Sequence, residues 1–160
     1  VVHANRLTDA DVGLLRRADA DVVHCPRSHA WFGHGGFDYD RLAKAGLNIS
    51  LGTDSLASIG GDRETVALDM FAEMQEFSRN HPNLACEDIL QMATANGATA
   101  IRLENELGQI RDGFMANMTM IPFNGTLSEV PEMILHHSGS VEMLMIAGRR
   151  AFSGGDSIVD

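Results

Sequence analysis

The sequence predicts an α/β fold with a parallel sheet, because strand-like and helix-like segments alternate along residues 1–106. Three short apolar runs end in residues that can bind a metal or move a proton, namely His3, His24 and Asp54. The chain has 160 residues, of which 44% are hydrophobic, so it can bury one sizeable core.

The predicted strands cover residues 1–4, 21–25 and 47–53. Each contains a short run of Val, Ile or Leu, as buried parallel strands do. Because the carboxyl ends of parallel strands meet at one edge of a sheet, we expect the residues at these ends to face a common pocket.

Two predicted helices carry recognisable end signals. Thr8 is a natural N-cap and Asp11 lies three residues later, which forms a short-acid variant of the capping box. A second, short helix is predicted to begin near Asp38 and to end at Gly46, a residue suited to a left-handed C-cap.

Two loops and two longer helical segments complete this part. Loops are predicted over 27–37, which is rich in glycine, histidine and aromatic residues, and over 55–62. A further helix is predicted over 86–95, with a break at 96–97 and a continuation over 98–103. The clearest helix has an apolar stripe formed by Val66, Ala67, Met70, Phe71, Met74 and Phe77, which we expect to be core.

Beyond Gly108 the pattern changes to apolar residues at strand-like spacings, separated by glycines. The tail therefore predicts β-structure in a separate layer. The apolar residues concerned are Ile110, Phe114, Met118, Met120, Val141, Met143 and Met145.

Composition argues against several classes of partner. The net charge is −10, with 22 acidic against 12 basic residues, which disfavours nucleic acid and anionic membranes. Cys25 and Cys86 lie far apart without CxxC spacing, which predicts a reducing, cytoplasmic location. No apolar run approaches the roughly 18 to 20 residues of a membrane span. The chain begins at Val1 within a strand-like run and without methionine, which predicts a piece of a longer polypeptide.

Asp54 is the strongest single candidate for chemistry. It could ligate a divalent metal and accept a proton from bound water, or it could simply cap a helix or order a loop. Its position directly after a buried strand favours the functional role. His3 also ends an apolar run, and it could polarise a substrate, hold a hydroxide or ligate a metal, or be a core histidine.

Histidine and cysteine are adjacent at positions 24 and 25. A cysteine nucleophile with a histidine base is one interpretation, but neighbouring strand residues point to opposite faces, so only one can face a pocket. We expect His24 to face the pocket and Cys25 to pack against a helix. For His29 and His34 in the following loop, substrate contact and no role are both open.

Five motifs occur in the order found in one known family. They are VHA at 2–4, HCPRS at 24–28, LGTDSLAS at 51–58, MATANGATA at 92–100 and GQIRDGFMAN at 108–117. In these motifs the chain resembles the carboxyl-terminal part of metal-dependent amidohydrolases. The resemblance is to the branch of cytosine, guanine, S-adenosylhomocysteine and aminofutalosine deaminases and triazine chlorohydrolases.

The resemblance implies the C-terminal part of a (β/α)8 TIM barrel, its last three βα units, followed by part of a small β-sandwich. The barrel part would be residues 1–106 and the sandwich part residues 107–160. Asp54 would be the aspartate that binds the metal and shuttles protons, and His3 would help to orient the hydrolytic water. The implied substrate-binding residues are His24, Ser28, His29 and Ser55.

Departures from the family pattern concern the metal and the substrate. The family's His-x-His and His-x-x-Glu motifs have no counterpart, so Asp54 is the one expected metal ligand present. Since zinc sites take three or four protein ligands, we expect the chain alone to be inactive. Asn117 stands where the family usually has aspartate, which affects only a contact in the sandwich. His29 stands where relatives often carry asparagine, which predicts an altered substrate preference.

The function implied is hydrolysis of carbon-nitrogen bonds other than peptide bonds, as a deaminase of a purine-like or related heterocycle. The implied cofactor is a divalent metal, zinc or alternatively iron. The implied partners are a small heterocyclic substrate, the missing amino-terminal portion of the chain, and a second copy in a homodimer. Two alternatives stay open: a related chlorohydrolase or cyclic amidohydrolase, and a non-catalytic α/β interaction module.

Overall fold

A small parallel sheet organises the first part of the chain in the computed structural model, which describes residues 1–61 and 67–153. Strands β1 (Val22–His24) and β2 (Ile49–Leu51) pair in parallel. On the other edge of β1, Val2 forms a single parallel bridge with Val23. The prediction of three neighbouring parallel segments is thereby confirmed.

The predicted strand over 1–4 is reduced to that one bridge. The backbone N–H of His3 donates to the Val23 carbonyl at 2.8 Å. The chain then enters the left-handed region, with φ of 70° at His3 and 51° at Ala4. Because a strand requires negative φ, regular pairing ends at this point.

The helices of this part are α1 (Asp9–Arg17), α2 (Pro26–Trp31) and α3 (Tyr39–Lys44). The capping box predicted at Thr8 is confirmed: its Oγ1 accepts the Asp11 N–H at 3.2 Å, and Asp11 Oδ2 accepts the Thr8 N–H at 2.8 Å. Both predicted ends of α3 are also confirmed. Asp38 accepts the Arg41 N–H, and Gly46 follows the helix with φ of 77°.

The loop predicted over 27–37 is wrong in its first half, where α2 forms. Pro26 occupies the first turn of this helix, where the missing proline N–H has no intrahelical acceptor to lose. Proline therefore starts a helix here as well as ending a strand. Residues 32–37 lie in neither a helix nor a strand.

Three further helices follow, α4 (Met70–Asn80), α5 (Cys86–Ala93) and α6 (Ala95–Ala100). The predicted apolar stripe is confirmed at Met74 and Phe77, which are buried, but it is wrong at Ala67, which is exposed and precedes the helix. Val66 of the stripe and Asp62 of the preceding predicted loop lie outside the described residues. The helix begins after Asp69, whose Oδ1 accepts two N–H groups of the first turn.

The break between α5 and α6 lies earlier than the predicted position at 96–97. It falls at Thr94, with φ of −129° and ψ of −90°, and Asn96 lies inside α6. The Asn96 side chain donates to the Ile49 carbonyl of β2 at 2.8 Å. Because Asn96 and Ile49 are far apart in the sequence, a prediction from the local sequence pattern could not include this contact.

An antiparallel sheet is formed by β3 (Met118–Met120), β4 (Met143–Ile146) and β5 (Arg149–Ser153). This confirms β-structure in the tail, with Met118 opposite Met145. The prediction is wrong for Ile110, Phe114 and Val141, which lie outside strands. It also missed α7 (Val130–Leu135), which lies between β3 and β4.

The hydrophobic core lies between the parallel strands and the helices. Its members include Val22, Ile49, Leu51, Phe77, Ile89 and Met92. Leu135 of α7 is buried in the same cluster, so a helix of the tail contributes to this core. The division at 106/107 stays a prediction, and residues 154–160 lie outside the described part.

No helix within residues 1–61 and 67–153 is long and apolar enough to cross a lipid bilayer. For comparison, α4 has 11 residues, whereas a membrane span needs about 20.

Replacing Thr8 by alanine removes the hydroxyl that links the N-cap to Asp11. We expect the free energy of unfolding to fall by about 1 kcal/mol, which is typical for loss of an N-cap side chain. Urea denaturation followed by circular dichroism measures the change, with Thr8→Ser as the control that keeps the hydroxyl. Equal losses in the two variants would contradict the capping role.

Candidate active site

Three polar side chains converge where the parallel segments end. His3 Nε2 lies 3.7 Å from Asp54 Oδ2, and the Ser28 hydroxyl donates to the same oxygen at 2.7 Å. The side chains of His3 and Asp54 are 40% and 26% exposed, so both are accessible to a small molecule. The structure therefore brings together the two residues for which the sequence predicts catalytic roles.

The backbone at these two residues is unusual. His3 and Asp54 have φ of 70° and 55°, in the left-handed region that few non-glycine residues occupy, although His and Asp are enriched there. Ala4 shares this conformation, with φ of 51°. Such conformations cost energy and cluster at functional sites, where surrounding structure holds them.

Hydrogen bonding favours the ionised form of Asp54. The bond from Ser28 is the main cause that holds the pKa of the Asp54 carboxyl below its usual value. A hydrogen bond from Ser58 and the nearby His3 act in the same direction. At neutral pH this group is a carboxylate, which is the form that binds metals and accepts protons.

Ser55, a predicted substrate-binding residue, begins the short 3₁₀ turn Leu56–Ser58. Its N–H donates to Ser58 Oγ at 3.1 Å, and the two hydroxyls lie 3.2 Å apart. Ser55 is exposed beside Asp54. Its contact with substrate stays a prediction.

His24 occupies a different position from the one expected. Its buried ring stacks on Phe37, with 3.9 Å between centroids, and meets the edge of Phe77 of α4. The side chain thus lies on the helix-packed face of β1, and burial is the main cause that lowers its pKa to about 3. His24 also lines a cavity of about 250 Å³ between α2 and α4. Its contact with substrate stays a prediction.

Cys25 directly follows β1 and is 2% exposed, and its packing against a helix stays a prediction. If Gly52 carried a Cβ atom, that atom would lie 3.4 Å from the Cys25 sulfur and 2.9 Å from a methyl carbon of Val23. Burial, followed by the charges of Asp54 and Glu73, raises the pKa of the Cys25 thiol to about 11. A thiol that stays protonated at neutral pH is a poor nucleophile, which disfavours the cysteine-histidine alternative.

His29 links α2 to the chain that follows His3. Its Nδ1 lies 3.0 Å from Asn5 Oδ1, and its Nε2 contacts the carbonyl of Gly35. Both partner oxygens can only accept, so a neutral ring, which has one N–H, donates to one of them at a time. With both nitrogens facing protein atoms, the role of His29 in substrate binding stays a prediction.

The sequence analysis missed Glu73 of α4. This side chain is 0% exposed, and its Oε2 accepts the backbone N–H of Arg27 at 2.9 Å. Burial raises the pKa of the Glu73 carboxyl to about 7. The sequence does contain an indication of this residue. Glu73 lies three residues after Met70 and four before Phe77, inside the apolar stripe, and glutamate is rarely found at such buried positions.

The described residues include side chains of the types that bind a divalent metal, but too few of them to form a complete site. An ionised carboxylate at Asp54 and an imidazole at His3 are ligand types that zinc uses. Within residues 1–61 and 67–153, no three His, Cys, Asp or Glu side chains are grouped to hold a metal. A zinc site takes three or four protein ligands, so these residues supply only part of one.

Comparison with known proteins identifies the family. The model of the amidohydrolase family matches residues 1–151. The chain belongs to the amidohydrolase family. This confirms the resemblance seen in the five sequence motifs and the prediction of a hydrolase family.

Curated relatives of this amidohydrolase chain carry deaminase names. The chain is 34% identical over 160 residues to 5-methylthioadenosine/S-adenosylhomocysteine deaminase of Thermococcus sibiricus, covering 92% of the chain and 36% of the relative. It is 30% identical to 5'-deoxyadenosine deaminase of Methanosarcina mazei, covering 88% and 33%. The chain thus spans about a third of the length of these relatives.

Solved amidohydrolases share the fold. An adenosine deaminase from Xanthomonas campestris with bound zinc matches with a TM-score of 0.82 at 27% identity, covering 95% of the chain and 36% of that protein. Helicobacter pylori aminofutalosine deaminase matches with a TM-score of 0.74 at 28% identity, covering 94% and 38%. The fold is that of part of an amidohydrolase TIM barrel, and the count of three βα units stays a prediction.

Glu73 should make stability depend on pH. The pKa of Glu73 is about 7 in the folded chain, whereas an unperturbed glutamate has a pKa of 4.5. Between these two pH values the folded chain therefore retains a proton that the unfolded chain has lost. Its contribution to stability is therefore full below pH 4.5 and is lost as the pH rises through about 7. Between pH 5 and pH 8 we expect the wild type to lose about 2 to 3 kcal/mol more stability than Glu73→Gln.

Denaturation with urea at both pH values measures this difference. Glu104→Gln is the matched control, because Glu104 is an exposed glutamate outside α4. The control should keep the pH dependence of the wild type. An identical pH dependence in wild type and Glu73→Gln would contradict the assigned pKa shift.

Proposed function

We propose that the protein is a metal-dependent hydrolase that deaminates a purine-like or related heterocycle. The observation that carries this proposal is the convergence of His3, Ser28 and Asp54 at the carboxyl end of the parallel segments. In barrels of this class, catalytic groups come from the carboxyl ends of several strands. The deaminase names of relatives at 34% and 30% identity support a purine-like substrate.

Asp54 would act as the proton acceptor. The Ser28 hydroxyl occupies one side of Oδ2 and lowers the pKa of the carboxyl, so the group is deprotonated and ready at neutral pH. General-base catalysis by a positioned carboxylate typically contributes about 10²- to 10⁴-fold in rate. His3 lies near enough to the same oxygen to stabilise charge that develops on the substrate.

A divalent metal, zinc or iron, would supply a water of lowered pKa when bound. Asp54 would be one of its ligands, and the zinc in the related Xanthomonas campestris structure supports this choice of metal. The chain spans 36% of that relative. The remaining metal ligands would therefore come from the part of the full-length protein that corresponds to the rest of the relative. We therefore propose that the chain alone does not catalyse the reaction.

Substrate contacts would come from the surfaces beside Asp54. Ser55 is exposed immediately after it, and Ser28 lies on its other side. We also propose His29 and His24 as contributors, through the cavity of about 250 Å³ that both line.

Asp54→Asn tests the proposal in the protein expressed from its complete coding region. The amide cannot accept a proton as the carboxylate does, so we expect kcat for ammonia release from adenosine-type nucleosides to fall by about 10³-fold. Asp112→Asn is the matched control, because Asp112 is exposed in the tail. Full turnover in Asp54→Asn would refute the proposed role.

A further inference from the structure

Glu73 connects α4 to the start of α2. Its Oε2 accepts the backbone N–H of Arg27 at 2.9 Å, and its Oε1 lies 3.8 Å from the Arg27 guanidinium. The N–H groups of the first helical turn lack intrahelical acceptors, so a carboxylate placed there satisfies one of them. Glu73 therefore fixes the position of the first turn of α2.

Ser28, whose hydroxyl donates a hydrogen bond to Asp54, belongs to this same first turn. It directly follows Arg27, is 2% exposed and donates to Asp54 Oδ2 at 2.7 Å. A displacement of the Arg27 backbone must move Ser28 with it, because the two share a peptide bond. A continuous set of contacts thus runs from Glu73 through α2 to Asp54.

Packing alone does not account for a carboxylate at position 73. The neighbouring stripe residues Met74 and Phe77 are buried and apolar, and burying a charge among such residues is unfavourable. Glu73 Oε1 has no hydrogen-bond partner among the described residues, so the cost is only partly offset. An apolar side chain here would stabilise the core but would leave the Arg27 N–H without this acceptor.

We propose that Glu73 is a positioning residue for Asp54, acting through the first turn of α2 and the Ser28 hydroxyl. This inference rests on the proposed role of Asp54 in catalysis. The carboxylate of Glu73 touches neither substrate nor Asp54 in this arrangement. Its effect is to keep the Ser28 hydroxyl directed at Asp54 Oδ2.

Hydrogen exchange followed by mass spectrometry tests the proposal on the whole protein. The relevant peptides cover α2 and residues 52–58. At pH 8, where the Glu73 carboxyl is mostly ionised, we expect Glu73→Gln to accelerate exchange in both segments about fivefold, since a neutral amide is a weaker acceptor than a carboxylate. Glu76→Gln makes the same chemical change on the same helix, at a side chain paired with Arg79, and should leave both segments unchanged.

A second background, Ser28→Ala, separates positioning from packing. If Glu73 acts through Ser28, then Glu73→Gln accelerates α2 in this background but has no further effect on residues 52–58. Equal acceleration of residues 52–58 with and without Ser28 would show a merely structural role and overturn the proposal. Unchanged exchange of residues 52–58 in the single variant would also overturn it.

Glu73→Asp provides an independent variant should Glu73→Gln fail to fold. It keeps the charge but withdraws the carboxylate by one methylene, and we expect the same dependence on Ser28. Ammonia release is recorded separately on the same samples. A wild type without deaminase activity would refute the proposed function, whereas the exchange pattern alone decides the positioning role.

Discussion

Parallel hydrogen bonding on both edges of β1 is the constraint on which the candidate site depends. On one edge the Val23 carbonyl accepts the N–H of His3 at 2.8 Å, and on the other the His24 carbonyl accepts the N–H of Gly52 at 2.9 Å. These bonds fix where the two outer segments end, and they leave His3 and Asp54 at one rim, 3.7 Å apart. A slip of one residue would turn the side chains to the other face of the sheet.

The helices behind the sheet contribute to the state of Asp54 as well as to the core. Ser28 of α2 keeps the Asp54 carboxyl ionised, and Glu73 of α4 holds the N–H of the residue before Ser28. Asp54 itself takes a left-handed backbone conformation, which costs energy. The fold thus accommodates a buried carboxyl group at Glu73 and a strained backbone at Asp54, neither of which improves packing.

Local signals in the sequence were enough to predict some features and not others. The capping box of Thr8 and Asp11 spans three residues, so its pattern is visible in the sequence, and chain order alone placed His3 and Asp54 at one edge. The orientation of His24 depends on aromatic rings brought in by the fold, so no local pattern contains it. The contact of Glu73 with Arg27 spans 46 residues, so no local pattern contains it.

The central claim is that Asp54 helps to hold a divalent metal at this rim. Anomalous diffraction at the zinc edge, from crystals of the protein expressed from its complete coding region, tests it most directly. We expect one strong peak with an Asp54 carboxylate oxygen about 2.0–2.2 Å from the ion and with His3 on the same side. A fully occupied zinc whose ligands exclude Asp54 would contradict the account.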